Sequence, residues 1–74
     1  MIWRIFAWNR VTKKWGLVGK IDDDAKAEAA IRTIADAGHV ARANSDEGEM
    51  RAYPNRKAFY RLRWLKSGSA PGAS

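Results

Sequence analysis

DDDAKAEAAIRTIADAG, residues 22–38, is the stretch on which the fold turns. The aspartates supply an N-cap and negative charge at the positive end of a helix dipole, and Gly38 supplies the left-handed stop at the far end. Between them Ala27, Ala30, Ile31 and Ile34 recur at helical spacing, which predicts a helix from about Asp23 to Ala37 with Lys26, Arg32, Thr33 and Asp36 toward water. Its apolar face is made of small side chains. Such a helix lies close against a sheet.

The flanks provide that sheet. Residues 2–8, IWRIFAW, and 15–21, WGLVGKI, are short runs rich in β-branched and aromatic residues, joined by the polar NRVTKK, so they read as an antiparallel hairpin. Gly16 and Gly19 weaken the second run and point to a bulge or a close backbone approach. After the helix, HVARANS and EMRAYP read as two further strands reversed at SDEG. The expected architecture is α+β, order ββαββ, with one helix across a four-stranded, mainly antiparallel sheet. Ile31 and Ile34 are expected in the core beside Ile5 and Leu17.

Residues 56–66, RKAFYRLRWLK, support two readings. As a helix, Ala58, Phe59, Leu62 and Leu65 share a face; as a strand, Tyr60, Leu62 and Trp64 alternate with Arg61 and Arg63. The Pro54–Asn55 entry favours the helix. Residues 1–66 are thus expected to form one domain, and residues 67–74, SGSAPGAS, a disordered tail.

A chain of 74 residues closes one small core. With no cysteine there is neither disulfide nor thiolate metal site, and His39 alone builds no zinc site. No apolar run is long enough for a membrane span, and the first residues do not read as a secretory signal, so a cytoplasmic location is expected.

Charge is segregated along the chain. Residues 1–20 hold Arg4, Arg10, Lys13, Lys14 and Lys20 and no acid, residues 21–49 hold all eight acids, and residues 50–74 hold six more basic residues and no acid, for a net +6. Two basic arms around an acidic waist attract polyanions or acidic protein surfaces. The competing reading is that the arms neutralise the waist once the chain folds.

Signatures of catalysis are missing: no phosphate-binding glycine loop, no GxSxG, no cysteine nucleophile. His39 with a carboxylate or a serine such as Ser45 would have to carry any acid–base chemistry, and its place at the helix exit suits a structural role better. The run Asp22, Asp23, Asp24 is explained by capping without a metal. The chain is read as non-catalytic, with no cofactor.

Aromatic residues are the second signal. Four tryptophans, two tyrosines and two phenylalanines exceed what an alanine-rich helix covers. Strand alternation turns Trp3, Ile5, Ala7, Met50 and Ala52 toward the helix. It turns Arg4, Phe6, Trp8, Arg51 and Tyr53 away, with Arg42 beside them.

Rings flanked by arginine are what single-stranded nucleic acid needs, and they are also the residues of protein hot spots. The expected function is a small binding or regulatory module acting on nucleic acid or its machinery through Arg4, Phe6, Trp8, Arg42, Arg51 and Tyr53, joined by the basic cluster Arg56, Lys57, Arg61 and Arg63. The alternatives are a phage-type adaptor or inhibitor seated on an acidic face of a larger enzyme such as RNA polymerase or a nuclease, and a protomer of a homodimer or larger assembly. Closure of the open face by residues 56–66 would argue against all of them.

Overall fold

The computed structural model describes residues 2–55 and 58–63. It is a small α+β domain: β1 (Trp3–Asn9), β2 (Lys14–Ile21), α1 (Asp24–Asp36), β3 (Ala41–Ser45), β4 (Gly48–Ala52) and β5 (Phe59–Arg63). The strands form one antiparallel sheet in the order β2-β1-β3-β4-β5. Among the described residues no helix is long and apolar enough to cross a membrane.

The helix ends where its sequence says. The Asp23 carboxylate accepts a hydrogen bond from the Lys26 amide at 2.9 Å, satisfying one of the donors a helix start leaves open. At the other end the Gly38 amide donates to the Ala35 carbonyl and the His39 amide to the Ile34 carbonyl, a paired closure that needs a left-handed residue and finds it in Gly38 at φ +99.

Because its inner face is Ala27, Ile31 and Ala35, α1 settles low over β1, β3 and β4 and reaches β2 only marginally. The buried core is Trp3, Ile5, Ala27, Ile31, Ala35, Ala41, Ala43, Met50 and Ala52, with Ile21, Ile34 and Phe59 packed at its margin. Small alanines on β3 face the helix, which lets the two layers approach and leaves Ile5, Ile31 and Met50 as the large, fully buried side chains.

Two expectations are corrected. Leu17 does not join the core; it is 56% exposed. Pairing runs Ile5 with Gly19 but Phe6 with Leu17, so Val18 is an extra residue in β2. That bulge turns Trp15 and Leu17 from the helix face, which strict alternation from Ile21 gives them, to the opposite one.

The second correction concerns residues 59–63, which form a fifth strand on β4 rather than a helix. Pro54 and Asn55 serve a reversal, closed by the Tyr53 amide donating to the Ala58 carbonyl at 2.9 Å, not a helix entry. Alternation then does what an amphipathic strand requires: Phe59 packs at the core margin, while Tyr60 and Leu62 face away from the helix. Arg56, Lys57, Trp64 and the expected tail lie outside the described residues.

Candidate functional site

The sheet face away from α1 is the candidate site. No described element covers it, since β5 extends the sheet sideways instead of folding over it. Register places Leu17, Phe6, Arg42, Arg51 and Tyr60 in one row across all five strands. A neighbouring row runs Lys20, Arg4, Asn44, Glu49 and Leu62. Trp8 and Trp15 pair beyond the first row on one side.

Rings gather at two places. The indoles of Trp8 and Trp15 meet edge to face at 5.2 Å, and the phenols of Tyr53 and Tyr60 do the same at 5.8 Å. Between these pairs lies Arg42, its guanidinium 4.7 Å from the Trp15 ring centroid and 5.2 Å from that of Phe6. Both distances are within cation–π range. The Arg42 Nε is buried and has no hydrogen-bond partner, and the Asn44 Oδ1 next to it on β3 is likewise buried and unpartnered.

Electrostatics distinguish the two central arginines. Arg51 donates to the Glu49 carboxylate and, at 3.4 Å, to the Tyr53 hydroxyl, and these two contacts, the tyrosine first, hold its pKa above the usual arginine value. Arg42 stands directly opposite Arg51 on the neighbouring strand and has no carboxylate partner among the described residues. Like charges opposed across a ladder are unfavourable. An anion placed between them relieves that repulsion.

Of the residues singled out from sequence, Arg4, Phe6, Trp8, Arg42, Arg51 and Tyr53 share this face. Arg61 and Arg63 do not; their register partners Met50 and Gly48 put them on the helix side. There Arg61 grips Asp24 through two hydrogen bonds, 2.9 and 3.0 Å, and Glu28 through a third at 2.8 Å. The arm-and-waist neutralisation thus holds for Arg61, while Arg42, itself in the waist, is answered by no acid among the described residues. Sequence reading missed Trp15, Leu17, Lys20, Tyr60 and Leu62; Gly19 marked the bulge that turns the first two, and the strand alternation of Tyr60 and Leu62 was legible but ranked second.

The residues weighed for catalysis lie apart. His39 precedes β3 and Ser45 ends it, so roughly 20 Å of extended backbone separates them. The Ser45 hydroxyl accepts from the Glu47 amide at 3.1 Å within the β3–β4 turn. Asp23 is spent as a cap and Asp24 on Arg61. Among the described residues no group of acids and His39 is arranged to hold a metal ion.

Comparison with known proteins returns no match, whether to a family model, a curated protein or a solved structure. The functional reading therefore rests on the face itself.

Proposed function

We propose that this domain is a non-catalytic, cytoplasmic binding module that takes single-stranded nucleic acid on the sheet face opposite α1. The observation that supports it is Arg42: a cation at the centre of the face, opposed by Arg51, framed by Phe6 and Trp15, and answered by no acid among the described residues. Bases stack on rings regardless of sequence, at about 1–3 kcal/mol each, while phosphates meet the guanidinium groups. Trp8–Trp15 and Tyr53–Tyr60 would be stacking stations, and Arg4, Lys20, Arg42 and Arg51 the backbone contacts.

A second reading draws on the ends of the rows. Leu17, Tyr60 and Leu62 are each more than half exposed, and apolar side chains around arginine also suit the acidic face of a larger enzyme, the adaptor role.

Titration of tryptophan emission with single-stranded RNA and DNA, at about 50 mM and about 200 mM salt, separates them. Binding that weakens steeply with salt and is reduced by Arg42→Gln or Tyr60→Ala supports the nucleic-acid reading. Affinity weaker than about 100 μM at the lower salt, below ordinary non-specific binding, removes it in favour of the adaptor.

A further inference from the structure

The β1–β2 hairpin outruns the rest of the sheet. Pairing of β1 with β3 ends at Ala7 and Ala41, and the Trp8 amide makes one more bond to the Val40 carbonyl at 2.8 Å. Pairing of β1 with β2 continues to Asn9 and Lys14 and closes through residues 10–13. The ribbon beyond Trp8 therefore stands free of a third strand for roughly 7–10 Å at the usual strand rise.

This tip is closed by its own hydrogen bonds and is basic. The Asn9 side chain accepts from the Val11 and Thr12 amides at 2.9 and 3.1 Å, and the Lys13 amide donates to the Asn9 carbonyl at 2.8 Å. Lys13 takes the left-handed conformation, φ 58, that the reversal requires. Arg10, Lys13 and Lys14 ring the tip, none in an ion pair among the described residues, and Val11 at the apex is 91% exposed. An ordered, projecting apolar apex inside a collar of cations is not explained by folding, since it buries nothing.

We infer that the tip of the β1–β2 hairpin docks in the major groove of duplex DNA. A two-stranded ribbon fits that groove, which is about 12 Å wide and about 8.5 Å deep, close to the length by which this ribbon projects. Arg10, Lys13 and Lys14 then reach the phosphates on either side, and Val11 lies against the base edges, where a thymine methyl is its apolar partner. A-form RNA is a poor fit because its major groove is narrow. The inference goes beyond the open-face reading and stands on different residues.

Fluorescence anisotropy with a short B-form DNA duplex and the matching RNA duplex tests it. The variants are Arg10→Gln/Lys14→Gln, Val11→Asp, and Lys26→Gln/Arg32→Gln, the last removing as much charge from the water-facing side of α1. At about 50 mM salt the first two should lose at least about tenfold in DNA affinity, and the tip pair should flatten the salt slope by about two contacts. The α1 pair should change little. Equal losses from the tip and α1 pairs, equal affinity for the two duplexes, or no duplex binding by the parent would each overturn the inference. Tip-dependent duplex binding without any single-strand binding would sustain it while removing the open-face reading.

Discussion

Arg61 and Asp24, thirty-seven residues apart in sequence, form a two-pronged ion pair that ties β5 to the first turn of α1. Glu28, one turn further on, shares the Arg61 Nη2 with Asp24. Hydrogen bonds from Arg61 hold both carboxyls below their usual range, outweighing the desolvation that raises them. A carboxylate whose folded pKa is depressed stabilises the fold above its unfolded value, and that contribution is lost as pH falls through the folded value. The domain should accordingly weaken from about pH 5 downward, and Arg61→Gln should remove most of that dependence. At neutral pH the same change should cost no more than about 1 kcal/mol, because all three side chains are a third or more exposed. Urea melts of parent and variant at several pH values measure both; a steep acid loss retained in Arg61→Gln would contradict the assignment.

Gly48 is required by packing rather than by dihedral angle. A Cβ there would lie 2.0 Å from the Leu62 carbonyl oxygen of β5, and neither backbone can yield without breaking the β4–β5 ladder. Gly48→Ala should loosen β5 selectively, seen as faster amide exchange at residues 59–63 with protection kept in β1 and β3. Gly19 has open space at the same test, so Gly19→Ala should leave β5 exchange unchanged.

Ile31 and Ile34 separate centre from margin. Ile31 is fully buried between sheet and helix, whereas Ile34 packs at the edge. Ile31→Ala should cost about 2–5 kcal/mol, most of the stability of a domain this size. The cost of Ile34→Ala should be nearer about 1 kcal/mol, since solvent already reaches it. Thermal melts of the two variants check the order.

Elements with strong local chemistry were legible in the sequence. The helix bounds came from Asp23 and Gly38, both of which make the caps their positions imply, and alternation placed Arg4, Phe6, Trp8, Arg51 and Tyr53 on one face. What escaped depended on partners far along the chain. The bulge at Val18 moves Leu17 out of the core through a register set by β1, and Pro54–Asn55 looks like a helix entry until β4 offers an edge to residues 59–63. Arg61 was grouped with the binding residues by its neighbours in sequence; its register partner Met50 assigns it to the helix side instead.

Glu49 and Arg42 set opposing demands on the open face. Glu49 is nearly buried and answers Arg51, leaving Arg42 as the centre's uncompensated cation. Glu49→Gln would leave Arg42 and Arg51 opposed with no acid beside Arg51, which should lower stability by up to about 1 kcal/mol, the scale of an unfavourable cross-strand pair. The same change frees Arg51 for an anion. Affinity for single strands should rise by up to about tenfold at about 50 mM salt, and the salt slope should steepen by about one contact. Binding should in turn recover the lost stability, because a ligand that binds only the folded state raises its melting temperature. Arg42→Gln should move every quantity the other way. Melting curves and oligonucleotide titrations on both variants decide it: parallel changes in stability and affinity would mean that the face is built for folding, and opposite changes that its charge is held in reserve for a polyanion.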